Sequence, residues 1–206
     1  MTTIPGRNLS GELAGDEVLR AFIALDLDAQ VRVRLADLQA ELRQISCRVS
    51  WAPPRNIHLT LVFLGDLFGA QVPELVAALD EIASCAAPFS MGVAGVDTFG
   101  PPATPRIVWA GIEEATGALR ALQDRTAMVV RSFGFQLEDR PFHPHLTLGR
   151  VRDRRGAAEL TSRLSSLKNV PYGQVEVKEL LLMRSRLVPQ GAEYSLLHAS
   201  ALKGAH

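Results

Sequence analysis

The chain is predicted to be an α+β protein built of two similar halves, and three observations predict it. Short apolar runs with strand character are mixed with segments whose leucines recur every three or four residues. Several neighbouring strands are joined by links too short for a parallel crossover, so they pair antiparallel. The word His-Leu-Thr-Leu occurs twice, at 58–61 and 145–148, once in each half of the 206 residues.

The elements follow in order. Arg20–Leu25 is a short apolar run read as the first strand. Residues 28–45 place Val31, Leu35, Leu38, Leu42 and Ile45 on one helical stripe. Pro53 and Pro54 break the chain before a strand over His58–Gly65, and a helix fits Val72–Ala86 with Pro73 in its first turn. Strands at Phe89–Phe99 and Arg106–Ile112 flank the loop Gly100–Pro105, and a third helix fits about 114–132. The second motif strand runs His143–Val151, followed by a shorter helix over 156–167. Two closing strands, Gln174–Arg186 and Glu193–Leu202, are joined by the turn Val188-Pro-Gln-Gly191. Residues 1–19 read as a flexible tail, 20–202 as one bilobal domain, and 203–206 as a short C-terminal tail.

Composition narrows the function. Lys plus Arg equals Asp plus Glu at 22 each, so any polyanion must be met by local basic patches. Those bases are 19 Arg and 3 Lys, a ratio that suits bidentate phosphate contact but follows equally from a compositional bias. Cys47 and Cys85 are isolated, which argues against a zinc framework or a disulfide scaffold. No run approaches the ~18 apolar residues of a membrane helix. A cytoplasmic monomer without membrane attachment is expected.

The motif carries the chemistry. Side chains alternate faces along a strand, so His and Thr of one motif share a face about 6.6 Å apart, while the leucines enter the core. Two copies supply two imidazoles and two hydroxyls, enough for acid–base chemistry on one phosphate. His58 and His145 are the catalytic candidates, and Thr60 and Thr147 the phosphate contacts; satisfied structural histidines and plain strand propensity are the competing readings. His143 adds a third imidazole, so His58, His143 and His145 could instead hold zinc with an open position for water. That reading leaves both threonines without a role. Arg150 points away from the His145 face by strict alternation, unless Gly149 introduces a bulge that swings it back. Arg152, Arg154 and Arg155 form a basic edge, either a solvated turn or a contact for an RNA backbone. Among nearby aromatics, Trp51, Phe99, Trp109 and Phe142 are candidates for stacking on a base, whereas Phe63 alternates with Leu59 and Leu61 and reads as core.

Taken together, these residues resemble the 2H phosphoesterases, specifically the RNA 2',3'-cyclic phosphodiesterases long called 2'-5' RNA ligases. The resemblance runs through Arg20–Ala24, Trp51–Gly65, Pro105–Trp109, Phe142–Arg150, Ser185 and Gly191–Tyr194, spanning about residues 20–202. It implies a bilobal fold with pseudo-twofold symmetry and a phosphate site in the cleft between lobes. It further implies catalytic roles for His58 and His145, phosphate contacts from Thr60, Thr147 and Arg150, and a variable position at His143. The implied reaction opens a 2',3'-cyclic phosphate on an RNA end or nucleotide to a 2'-phosphate, without metal or cofactor, with weak reverse 2'-5' ligation. Near-symmetry leaves the division of labour open; the working assignment is His145 as base and His58 as acid. A non-catalytic nucleotide- or RNA-end-binding module of the same fold is the competing class.

Overall fold

Leucine and valine spacing decides where helices and strands form, and the partners each strand finds decide where they end. The computed structural model describes residues 15–189 and 191–205. Within it lie β1 Val18–Leu25, α1 Ala29–Leu42, β2 Val49–Trp51, β3 Leu59–Phe68, α2 Val72–Ser84, β4 Phe89–Phe99 and β5 Ile107–Glu113. There follow α3 Ala118–Ser132, β6 His145–Val151, α4 Ala157–Ser165, β7 Pro171–Val177, β8 Glu179–Val188 and β9 Gly191–Ala201. Residues 1–14 of the expected tail, Gln190 of the expected turn and His206 lie outside the described residues.

Several element ends shift by one to four residues from expectation, and three differences have a plain physical reason. β1 begins at Val18, two residues early, because Leu19 packs into the core at 1% exposure. The three-residue β2 was not expected; it is too short for any periodicity and forms by pairing with β6. The expected strand Gln174–Arg186 is two strands that part at Lys178, because β7 pairs with β4 while β8 pairs with β1 and β9. Extended residues look alike on both sides of a change of partner.

All pairings are antiparallel, in the order β7-β4-β5-β6-β3-β1-β8-β9, with β2 also on β6. The centre of this sheet is a narrow joint, the single register pair Leu59–Leu146 between β3 and β6. From it the sheet extends as β3-β1-β8-β9 on one side and β6-β5-β4-β7 on the other, a motif strand followed by three partners in each lobe. The lobes are not the two halves of the sequence. α2 packs on β8 and β9 and α3 on β3, whereas α1, which follows β1, crosses to pack on β7 of the opposite lobe. Gln39 of α1 reinforces that crossing: its Nε2 donates to the carbonyls of Ala52 and Leu148, 2.9 Å each.

Leu59 and Leu146 anchor the joint, buried at 1% and 0% in a core shared by both lobes. Burying each removes a side chain's apolar surface from water, roughly 1.5–3 kcal/mol apiece. A second, smaller apolar cluster of Phe22, Ala24, Leu181 and Met183 is capped by Tyr194, Leu196 and Ala199.

Both motif strands carry a bulge at the same place. On β3, Thr60 pairs with Ala24 and Val62 with Ile23, leaving Leu61 extra. On β6, Thr147 pairs with Trp109 and Gly149 with Val108, leaving Leu148 extra. The extra residue shifts the alternation by one. Leu61 and Val62 are therefore both buried, as are Leu148 and Gly149, and the next residue of each strand turns outward. On β6 that residue is Arg150, returned to the His145 face as a Gly149 bulge would require. On β3 it is Phe63, which is 66% exposed, so the expectation of a core Phe63 is wrong. Strict alternation fails at the bulge, and the sequence carries no local mark of it at Leu61. Gly149 has its own reason: a Cβ there would come within 2.6 Å of Val49 and 2.9 Å of Trp51.

Candidate active site

Register brings the four motif side chains together. Continuing the antiparallel Leu59–Leu146 pair by one residue each way sets His58 across from Thr147 and Thr60 across from His145. The leucines face the core, so the four polar residues share the opposite face, with the two histidines diagonal to one another. Diagonal neighbours on such a pair lie about 7–8 Å apart at the backbone, within reach of two imidazoles that meet one small anion.

Each histidine is oriented through its backbone. His58 Nδ1 is 2.7 Å from the Asn56 carbonyl, and His145 Nδ1 is 2.7 Å from the His143 carbonyl. A carbonyl only accepts, so Nδ1 carries the hydrogen in both, and the neutral rings present an unprotonated Nε2. Nε2 of His58 is 2.9 Å from Oγ1 of Thr60, which donates to it while the ring is neutral.

The surroundings of the two rings differ. His58 stacks on Phe22, centroids 4.7 Å apart and planes at 22°, and meets Tyr194 edge-on at 5.2 Å. Burial pushes its pKa down to about 4; the Asn56 carbonyl opposes this, and the charge of Arg32 adds to it. His145 meets Phe99 edge-on at 4.8 Å. Burial lowers its pKa too, against the His143 carbonyl and with the help of the His143 charge.

Supporting contacts hold the segment before β3. Arg32 of α1 donates to the carbonyls of Pro54 and Ile57, at 2.8 and 2.7 Å, and pairs with Asp26. Asn56 Nδ2 donates to the Ala192 carbonyl, 2.8 Å away. A cavity of about 440 Å³ opens beside His58, walled by Ala24, Asn56, Met183 and Tyr194 and rimmed by Arg55 and Arg184. Burial raises the Tyr194 phenol, and the charge of Arg150 works against that, so Arg150 acts across the cleft on the residue that packs against His58.

The His143 ring stands 6.3 Å from that of His145, tilted to it. It lies edge-on to Trp109 and Phe99 and walls a separate cavity of about 440 Å³ with Trp109, Asp97 and Lys168. Among the described residues, no three His, Cys, Asp or Glu side chains are grouped so as to hold a metal ion. Of the expected aromatics, Phe99 and Trp109 stack on each other at 5.1 Å beside His145, Trp51 packs over Gly149, and Phe142 is part of the core boundary. Sequence reasoning passed over Phe22, Tyr194 and Arg32. Phe22 and Tyr194 fall in segments that carry the resemblance, but nothing local ties any of the three to His58, because each reaches it from a strand or helix distant in the chain.

What this arrangement can do is bind a small anion between two imidazoles and two hydroxyls and move protons at it. Comparison with known proteins agrees in fold. Residues 26–188 match the family model described as the 2'-5' RNA ligase superfamily. A protein of Methanothermobacter thermautotrophicus named RNA 2',3'-cyclic phosphodiesterase is 33% identical over 177 residues, covering 86% of this chain and 95% of its own length. One of the same name from Thermus thermophilus is 33% identical over 195 residues, covering 91% and 92%. Among solved structures, TT0787 of Thermus thermophilus superimposes with a TM-score of 0.74 at 30% identity, covering 91% of this chain and all of that one. E. coli LigT complexed with 3'-AMP gives 0.68 at 25%, covering 90% and 99%.

Proposed function

The chain belongs to the 2'-5' RNA ligase superfamily, and on that footing we propose that it is an RNA 2',3'-cyclic phosphodiesterase. It hydrolyses the 2',3'-cyclic phosphate of an RNA end or nucleotide to a 2'-phosphate, by two-histidine acid–base catalysis without a metal or other cofactor. The observation that supports this reading is the Leu59–Leu146 pair, whose antiparallel register, continued by one residue each way, sets His58 opposite Thr147 and Thr60 opposite His145. The names borne by relatives at about this level of identity support the same activity.

In the proposed reaction, water attacks phosphorus in line with the departing O3'. His145 Nε2, the more open imidazole, accepts the water proton, and His58 delivers a proton to O3'. The P–O3' bond breaks, leaving a free 3'-hydroxyl and a 2'-phosphate. Thr60, Thr147 and Arg150 donate to the non-bridging oxygens, where negative charge accumulates. Run backward with a 5'-hydroxyl in place of water, the same groups would form a 2'-5' linkage.

The low pKa of His58 opposes its role as acid until substrate arrives. A phosphate anion ~4 Å away at an effective dielectric constant of ~20 stabilises the charged ring by about 4 kcal/mol, or ~3 pK units. That returns the ring from about 4 to near neutrality. The Thr60 hydroxyl, which donates to neutral Nε2, then rotates to accept from or release the charged ring.

No helix among the described residues is long and apolar enough to cross a membrane. The proposed setting is the cytoplasm and the proposed working form a monomer. Incubation with a nucleoside 2',3'-cyclic phosphate, with the product read by phosphorus NMR, tests the function. Appearance of the 2'-phosphate is the expected result; binding without turnover would establish a binding module instead.

A further inference from the structure

We propose that an RNA substrate lays the strand 5' of its terminal cyclic phosphate along Arg150, Arg152 and Arg48, a cationic row on the cleft-facing side of β6 and β2. The inference rests on the phosphodiesterase reading and names which face beyond the cleft receives the rest of the substrate. A cyclic phosphate occupies the 3' end, so an attached chain can leave the site only through the 5' oxygen of the last ribose.

The row follows from register. The bulge at Leu148 puts Arg150 on the His145 face, and Arg152 follows just past the end of β6. Ser50 of β2 lies across from Arg150, and Arg152 Nε donates to its hydroxyl at 2.8 Å. The Arg152 amide donates to the Arg48 carbonyl at 2.8 Å, which sets Arg48 across from Arg152. Successive members of a strand face lie about 6.6 Å apart, so the charges form a continuous track that starts at the phosphate site.

Charge balance distinguishes this side from the other. Around the His58 cavity Arg184 pairs with Glu17 at 2.7 Å, Arg186 with Glu193 at 3.5 Å and Arg32 with Asp26, while Arg55 on the rim has no carboxylate partner among the described residues. Among the described residues, Arg48, Arg150 and Arg152 form no ion pair. Asp153, the acid nearest them in the chain, is bonded to Arg155 at 2.8 Å. Like charges directly opposite on adjacent strands destabilise a sheet. Arg48 facing Arg152 is therefore unfavourable as a pair, offset in part by the charge of Asp153, which Arg48 also feels, and in a chain of zero net charge it concentrates positive charge where a polyanion would leave the cleft. Guanidinium groups are also suited to bidentate phosphate contact.

The test compares a nucleoside 2',3'-cyclic phosphate with a short oligoribonucleotide carrying the same terminus, using wild type and the double variant Arg48→Ala/Arg152→Ala. Wild type should prefer the oligonucleotide. The double variant should lose about tenfold in kcat/KM on it and keep its rate on the mononucleotide. The salt dependence on the oligonucleotide should become shallower, by roughly 0.7 in log–log slope for each phosphate that the variant no longer neutralises. Equal losses on both substrates, or no wild-type preference at low salt, would overturn the proposal. Should wild type turn over neither substrate, the catalytic reading fails, and the track is still tested by fluorescence anisotropy of an oligoribonucleotide ending in a 2'-phosphate. Weaker, less salt-sensitive binding by the double variant would support it, and unchanged binding would refute it.

Discussion

His58 and His145 are held in the same way: each directs Nδ1 to the carbonyl oxygen of the residue two positions earlier, at 2.7 Å, Asn56 in one case and His143 in the other. A local hydrogen bond of this kind travels with the strand. Two copies of the motif therefore arrive at the joint with the same tautomer and with Nε2 presented on the same face.

Loss of either ring should remove a proton-transfer group. His58→Ala and His145→Ala are each expected to lower turnover of a 2',3'-cyclic phosphate by roughly 10²–10⁴. His143→Ala should cost far less, since that ring stands against Trp109 and Phe99 in a separate cavity. The double variant of His58 and His145 should fall well short of the product of the single losses. Steady-state kinetics of the four variants checks this, and equal damage from His143→Ala in a folded protein would contradict the assignment.

Acid should weaken the fold through His58. Its pKa is about 4 in the native protein against an ordinary 6.5. Between those values the unfolded chain binds the extra proton, so stability is fully present above pH 6.5 and falls as pH drops toward 4. The ceiling is about 3.5 kcal/mol, from ~1.4 kcal/mol per pK unit. Urea melts at pH 7 and pH 4.5 should show a smaller loss for His58→Gln than for wild type; an identical loss would rule out His58 as the source.

Phe63 offers a test of the bulge. A core phenylalanine costs ~3–5 kcal/mol when truncated to alanine. At 66% exposure, with only a tilted contact to Phe22 at 6.3 Å, Phe63→Ala should cost under ~1 kcal/mol. Chemical denaturation measures the difference, and a core-sized loss would mean that Leu61 is not the bulged residue.

Chelation separates the two-histidine and zinc mechanisms. Activity should survive EDTA and need no added divalent ion, because neither motif contains a carboxylate to help hold a hard cation. Inactivation by EDTA, reversed by zinc, would return His58, His143 and His145 to a shared metal site.

The class of fold, most of the elements and the four residues of the two motifs were legible in the order of amino acids alone. These depend on local periodicity and on a repeated word, and both survive without knowledge of what touches what. Pairing in three dimensions settled the rest. That Leu59 meets Leu146, that the lobes interleave segments from both ends of the chain, and that the chain changes partner at Lys178 are facts of pairing between distant strands. The outward turn of Phe63 and Arg150 came from a bulge whose register is set by β1 and β5. Phe22, Tyr194 and Arg32 became neighbours of His58 for the same reason. Alternation along a strand is a property of its own backbone, but where it slips, and what stands beside each side chain, is set by hydrogen bonds to a strand elsewhere in the chain.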